Sequence, residues 1–350
     1  MQKLYRPPAF DLPLVFGMAF LVLLGIITLR SIAPSLFPVY FLYLFLAIVV
    51  FFFLIQTDFE VISLFSKFFY IGSIIFLIIP LLIGQVTRGA IRWIPLGALT
   101  IQPAEIVRPF LLVFFAWYLT AKEITLKRFF NAIGLLTIPF ILILIQPSLG
   151  VAVLTLVGFI GVLLAVNIRK KLFLYGVLVG AVLLPLIWQI LAPYQKTRIL
   201  SFLNPSKDPY GAGYNAIQSM ISVGSGKLLG RGLGRGVQTQ LAFLPERHTD
   251  FIFASIAEEL GFVGAGLLLL MSFFLLFRLT SFMEKATSPA ARAYLSGFSL
   301  TLLVQIFVHV GMNLGLAPIS GVPFPLVSTG GSSLLATFIG LAIAIGARKS

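Results

Sequence analysis

Long apolar runs, broken by short basic or Gly/Pro-rich segments, set the pattern of this chain. A membrane helix needs about 20 mostly apolar residues. Ten stretches meet that length: roughly 12–30, 35–56, 64–84, 104–120, 129–146, 149–167, 172–192, 250–278, 292–311 and 323–346. They predict an all-α polytopic membrane protein, a single membrane domain over 1–350 with about ten transmembrane helices. Lys3 and Arg6 precede the first run, but it is long and no small-residue cleavage site follows it, so it reads as a span and not a cleaved leader. An even number of spans puts both termini on one side.

Composition supports this reading. Apolar residues make up 59% of the 350 residues, charged residues 10%, and the mean hydropathy is +1.06. A soluble domain carries about 25% charged residues, so lipid must be the solvent for most of this chain. Cysteine is absent, which excludes disulfides, thiolate metal sites and cysteine nucleophiles. Two histidines, His248 and His309, are too few and too far apart for a histidine-rich metal site.

The formal charge of +14 suits anionic lipid, phosphate or cytoplasmic anchoring, and position decides among them. With the N-terminus inside, Lys67, Lys122, Lys127, Arg128, Arg169 to Lys171, Arg278, Lys285, Arg292, Arg348 and Lys349 join Lys3 and Arg6 on the cytoplasmic side. The short outer segments keep only Arg30, Arg88, Arg92 and Arg108. This bias makes both termini cytoplasmic. The outer face then carries the large loop 193–249 and the segments 85–103 and 311–325. Loops beyond about 12–15 residues are usually functional or disordered.

On that face, Q-P-A-E-I-V-R-P (102–109) starts the fourth span. Pro103 fits a first helical turn, and Glu105 and Arg108 fall at i, i+3, close enough to pair. They read either as a structural ion pair or as a pair that orients an active-site group or a substrate phosphate. In the large loop, Ile217, Met220 and Ile221 sit at helical spacing and predict a short interfacial helix near 214–223. The glycines from 224 to 236 alternate with Lys227, Arg231 and Arg235, a composition whose backbone N–H groups can wrap phosphate oxygens. G-S-G-K-L lacks the first Gly and the Ser/Thr of a P-loop, and G-L-G-R-G has neither the strand nor the helix of a dinucleotide fold.

Asp250 precedes the apolar run F-I-F-A-S-I-A. It reads as a helix N-cap or as a carboxylate at the membrane surface placed to take a proton. Glu258 and Glu259 lie deeper, as buried partners or structural pairs for an Arg. His309 and Asn313, at i, i+4, suit a helix–helix hydrogen bond. In M-N-L-G-L-A-P-I-S-G-V-P-F-P-L-V-S-T-G-G-S-S (312–333), Pro and Gly break the helix, which lipid tolerates only around a cavity. Ser332, Ser333 and nearby backbone N–H groups are then candidates to face an anion at a helix start.

Taken together, G-A-I-R-W, Q-P-A-E, F-L-P-E-R-H-T-D-F-I-F, A-E-E-L-G, H-V-G-M-N-L-G-L-A-P-I-S-G-V-P-F-P-L-V-S and G-G-S-S resemble the SEDS family (shape, elongation, division and sporulation) over about residues 10–345. Length, short termini and F-L-P-E-R-H-T-D favour its rod-shape branch over its division branch. The resemblance implies a multi-pass enzyme of the bacterial cytoplasmic membrane, a peptidoglycan glycosyltransferase that polymerises lipid II on the outer face during cell elongation. It implies a class B penicillin-binding protein and other elongation-complex membrane proteins as partners, and no nucleic acid. The family's essential loop aspartate maps onto Asp250 and its Q-P-S-E glutamate onto Glu105. Arg108 stands where the family usually has Lys, Ser148 where it often has Asp, and Thr329 where Tyr is common.

Transfer from a lipid pyrophosphate to a sugar hydroxyl needs a base and positive charge for the leaving group. Asp250 is the candidate base. Arg92, Arg108, Arg198, Lys227, Arg231 and Arg235 are the candidate cations, and His309, Asn313, Ser332 and Ser333 further substrate contacts. A divalent cation, Mg or Mn, bridging Asp250 and the pyrophosphate is a weaker expectation. Two rival readings are a lipid flippase, which would also use broken helices and intramembrane charges, and a non-catalytic scaffold for cell-wall enzymes.

Overall fold

The computed structural model describes residues 10–83, 91–97, 99–166, 193–203, 211 and 213–349, with scattered positions between 171 and 191. The expected seventh span, 172–192, and the basic residues Lys3, Arg6, Arg88, Arg169 and Lys170 lie wholly or largely outside these. Among the described residues, seven helical stretches are long and apolar enough to cross a membrane: Leu12–Ile32, Pro34–Leu54, Ser66–Ile83, Pro103–Thr120, Leu126–Ile145, Ile252–Lys285 and Pro289–Asn313. Two shorter apolar helices, Leu149–Ala165 and Gly331–Ala347, fall on predicted spans as well.

In chain order the helices are α1 (Leu12–Ile32), α2 (Phe37–Leu54), α3 (Phe59–Leu64), α4 (Ser66–Ile83), α5 (Pro103–Thr120), α6 (Leu126–Ile145) and α7 (Leu149–Ala165). After the seventh predicted span come α8 (Pro193–Leu203), α9 (Tyr214–Ser225), α10 (Val237–Gln240), α11 (Ile252–Lys285), α12 (Pro289–Asn313) and α13 (Gly331–Ala347). Strands β1 (Ile94–Leu96) and β2 (Leu99–Ile101) form an antiparallel hairpin that the apolar pattern does not foresee. Tyr43 on α2 pins it, accepting from the Thr100 amide at 2.7 Å and donating to the Thr100 carbonyl at 2.6 Å.

Local chemistry sets several helix starts. Asp11 accepts from the Leu14 amide at 3.0 Å as the cap of α1, and Thr125 caps α6 through the Arg128 amide. Proline occupies the first turn of α1, α2, α5 and α12, where a missing N–H costs nothing. Asp11 also receives Arg278 of α11 at 2.6 Å and Arg348 beyond α13 at 2.7 Å. That contact holds the beginning and end of the described chain on one side, as an even number of spans requires.

The core is built by close helix approach. α13 is buried at every position but Leu335, which makes it the central helix. A methyl group on Gly161 of α7 would lie 2.8 Å from the Gly297 Cα of α12, and one on Gly158 would lie 2.7 Å from Thr301 Oγ1. Small residues here let two backbones touch, the usual route to tight packing in lipid.

α11 is not the uninterrupted span that the hydropathy predicts. At Gly261 the backbone turns to φ 68°, ψ −164° and breaks the helix. The freed Glu258 and Glu259 carbonyls accept from the Arg231 and Gly232 amides at 2.9 and 3.0 Å, while the Phe262 and Val263 amides donate to the Lys227 and Leu228 carbonyls. A break in apolar surroundings persists only when its backbone groups find partners, and the Gly-rich loop supplies them. The tenth span also starts later than its apolar run: residues 323–330 are irregular and α13 begins at Gly331.

Candidate active site

One cavity of about 470 Å³ opens at the outer end of the bundle. Its walls come from the start of α2, the hairpin, the first turn of α5, Ser148, α8, the turn before α11, the irregular segment 321–330 and the start of α13. Asp250, Glu105, Arg92, Arg198, Ser332 and Ser333, all singled out in the sequence, line it. Tyr40, Trp93, Gln102, Glu246, His248 and Gly321 line it too.

Asp250 does not cap α11. The cap position belongs to Phe251, whose own side chain makes no cap hydrogen bond. The Asp250 carbonyl accepts from Asn313 Nδ2 at 3.0 Å, and Asn313 Oδ1 accepts the Ala254 amide at 3.0 Å, so Asn313 provides the capping contact instead. The Asp250 carboxylate points into the cavity, where a methyl on Gly321 would lie 3.6 Å from its Oδ2 and 3.9 Å from Arg198 Nη1. Gly321 has φ +66°, a conformation that glycine adopts without cost.

The turn carrying Asp250 is stitched to the segment before α13. Ser328 Oγ donates to the Thr249 carbonyl at 2.7 Å, and Thr329 Oγ1 donates to the His248 carbonyl at 2.9 Å. Thr329 is thus a backbone clamp where the resembled family commonly has Tyr. Ser148, in place of the family's Asp, accepts from Gln102 Nε2 at 3.1 Å, and the Gln102 amide donates to Ser332 Oγ at 2.9 Å.

Glu105 and Arg108 pair as expected, at only 3% and 6% exposure. The pair reaches further than its own helix. Arg108 Nη1 donates to Gln305 Oε1 at 3.3 Å, and Gln305 Nε2 donates to the Pro323 carbonyl at 2.9 Å. His309 binds the Val322 carbonyl through Nδ1 at 2.8 Å. A buried polar chain therefore runs from α5 through α12 to the segment that holds Gly321 opposite Asp250. Gln305 carried no signal in the sequence, because a lone Gln in an apolar run matches no motif.

Several expected contacts sit elsewhere. Lys227, Arg231 and Arg235 do not line the cavity, nor do His309 and Asn313. The Gly-rich loop folds onto carboxylates instead. Glu258 accepts from the Gln238 and Thr239 amides at 2.9 and 3.0 Å and from Ser222 Oγ at 3.2 Å. Glu259 accepts from Ser31 Oγ at 2.6 Å, Gln240 Nε2 at 3.0 Å and the Gly234 amide at 3.1 Å. The loop's N–H groups converge on anions, as glycine-rich backbone allows, but those anions belong to α11. Neither glutamate pairs with an Arg side chain among the described contacts. A helix is present where the sequence leads one to expect the short one near 214–223, as α9 (Tyr214–Ser225).

Two buried hydroxyls facing the cavity, Tyr40 Oη and Ser333 Oγ, have no hydrogen-bond partner among the described residues. Buried hydroxyls without a partner are rare in folded proteins. Among the described residues no three His, Asp or Glu side chains gather as a metal cluster.

A family model described as "Cell cycle protein", covering FtsW, RodA and SpoVE, matches residues 10–350. The chain belongs to this family. Peptidoglycan glycosyltransferase MrdB of Escherichia coli K12 is 39% identical over 281 residues, covering 79% of this chain and 76% of that protein. The probable peptidoglycan glycosyltransferase FtsW of Escherichia coli O6:H1 is 40% identical over 303 residues, covering 84% and 72%. The fold is similar to a chain of a peptidoglycan synthase complex that coordinates polymerization and crosslinking, with TM-score 0.84, 32% identity, and coverage of 97% and 98%. It is also similar to the rod shape determining protein RodA of Thermus thermophilus, with TM-score 0.73, 29% identity and 97% of each chain covered. The family resemblance read from the motifs and the polytopic helical fold are therefore both borne out.

Proposed function

We propose that this chain is a peptidoglycan glycosyltransferase of the bacterial cytoplasmic membrane, polymerising lipid II at the outer-face cavity with Asp250 as general base. One observation carries the assignment: the Asp250 carboxylate and the Arg198 guanidinium reach the same glycine in a cavity at the outer membrane surface. The names of the relatives supply the reaction class, and the cavity supplies the groups that it needs.

In this reading Asp250 takes the proton of the acceptor sugar hydroxyl as its oxygen bonds to the anomeric carbon of the lipid-linked donor. The bond from that carbon to the pyrophosphate oxygen breaks, and the charge that develops there meets Arg198 and Arg92. Tyr40, Ser333 and the start of α13 offer donors to sugar or phosphate oxygens. Glu105 and Arg108 act through Gln305, holding the segment 321–324 against the turn of Asp250. Among the described residues the donor set builds no protein cage for a divalent cation, and no step is assigned to one.

The partner expected for such an enzyme is a membrane-anchored class B penicillin-binding protein, and its helix would pack on an apolar face. Phe262, Leu270 and Phe277 of α11 and Phe307 of α12 are exposed large hydrophobics that suit it. The rod-shape branch remains the preferred assignment, on the motif F-L-P-E-R-H-T-D and the likeness to RodA.

Purified protein in liposomes with labelled lipid II tests the reading. Glycan polymer is the expected product. Translocation of lipid II without polymer would establish the flippase reading, and neither outcome would leave a scaffold.

A further inference from the structure

A second cavity, of about 500 Å³, lies at the opposite end of the bundle from the candidate active site. It sits among the start of α4, the end of α5, the turn after it and the first turn of α6, all on the side assigned to the cytoplasm. Its chemistry is sharply divided. Tyr70, Trp117 and Tyr118 supply aromatic walls, and Lys67, Lys122 and Arg128 supply three cations. No Asp or Glu lines it among the described residues.

The cations are placed, not merely near. Lys67 Nζ lies 5.3 Å from the centroid of the Trp117 ring, and Arg128 Cζ lies 4.6 Å from that of Tyr118. Such contacts hold a cation over an aromatic face. Arg128 also donates through Nη2 to the Tyr118 carbonyl, while its Nε is buried with no partner among the described residues. Ile71 of α4, which also lines the pocket, is 55% exposed. The pocket thus joins three positive charges to an apolar wall, at the end of the bundle assigned to the cytoplasmic side.

We propose that this pocket binds the headgroup of an anionic phospholipid from the inner leaflet, its phosphate between Lys67, Lys122 and Arg128 and its acyl chains along Ile71 and α4. A diffuse basic surface attracts anionic lipid without choosing a place for it. A walled pocket with ring-held cations binds one lipid at one place and staples α4 to α5 and α6.

The test uses the full-length protein in detergent, titrated with phosphatidylglycerol, with phosphatidylcholine of the same acyl chains, or with inorganic phosphate, while thermal melting is followed. Bound lipids are counted by native mass spectrometry. Saturable stabilisation by phosphatidylglycerol alone, with one tightly held lipid, is expected. A cation near the membrane surface contributes about fivefold in affinity, so Lys67→Gln/Lys122→Gln should weaken binding about 25-fold. Lys127→Gln/Lys285→Gln, which removes two exposed cytoplasmic-side cations outside the pocket, should leave it unchanged.

Equal stabilisation by phosphatidylcholine would overturn the proposal, and so would equal stabilisation by phosphate, which would make this a free-phosphate site. Equal losses in the two double variants would reduce the effect to net charge. Lys67 and Lys122 are exposed, so their substitution leaves the fold intact, and the lipid count reads binding even if melting shifts.

Discussion

The Asp250 carboxylate and the Arg198 guanidinium both face the open side of Gly321, where a β-carbon would lie. A single methyl there would come within 3.6 Å of the carboxylate and 3.9 Å of the guanidinium. The space between a base and a cation is thus kept open by the absence of a side chain, on a segment that a buried polar chain holds in place.

Gly321→Ala should therefore damage activity more than folding. The φ of +66° adds a left-handed penalty of roughly 1–2 kcal/mol. The methyl meets both groups at ordinary van der Waals distance, so it crowds the bound substrate and not the protein, and misplacement of about 1 Å can cost about 10²-fold in rate. Polymer formation and thermal melting measured on the same preparation check this. Full activity with a lowered melting temperature would show that Gly321 serves the fold alone.

Arg108→Gln should leave Glu105 buried and unpaired, at about 3–5 kcal/mol. Gln305→Leu should be milder for stability, yet it frees the Pro323 carbonyl and loosens the segment facing Asp250. A double-mutant cycle across Arg108 and Gln305, read in both melting and rate, should give non-additive losses. Strict additivity would mean that the chain from α5 to Gly321 transmits nothing.

Much of this was legible in the sequence. Nine of the ten predicted runs coincide with helices, since twenty apolar residues in lipid have few other ways to satisfy their backbone. Asp250, Glu105, Arg198 and Arg92 were reachable because charges at the mouth of a span carry signal. The roles of Gln305, Gly321 and Tyr40 were not, since each depends on what a distant segment places opposite it. The Gly-rich loop misled for a related reason. Its composition announces anion binding, but not that Glu258 and Glu259 are the anions.

Glu258→Ala tests that loop. It leaves the Gln238 and Thr239 amides and Ser222 Oγ without their acceptor, and each buried group left so costs about 1–3 kcal/mol. Limited proteolysis should then cut between residues 226 and 247, where the parent protein resists. Unchanged protection would show that the break at Gly261 alone holds the loop.

Gly264 and Gly266 should part company. A side chain on Gly264 meets Leu260 at 2.2 Å, whereas Gly266 has nothing within 4 Å. Gly264→Leu should lower the melting temperature of the isolated chain. Gly266→Leu should spare it and weaken co-purification with the class B penicillin-binding protein. If Gly264→Leu melts normally, its packing is not internal. If Gly266→Leu co-purifies undiminished, the partner sits elsewhere.

Glycan transfer at this cavity turns on the Asp250 carboxylate taking a proton. The most direct measurement compares Asp250→Asn with the parent protein in liposomes supplied with labelled lipid II, at matched insertion and melting temperature. Asn keeps the shape and the Asn313 contact to the backbone carbonyl, but it removes the base, whose loss costs about 10²–10⁴ in rate. Asp250→Asn should give a folded protein that makes almost no polymer. An Asp250→Asn protein polymerising at the parent rate would contradict it.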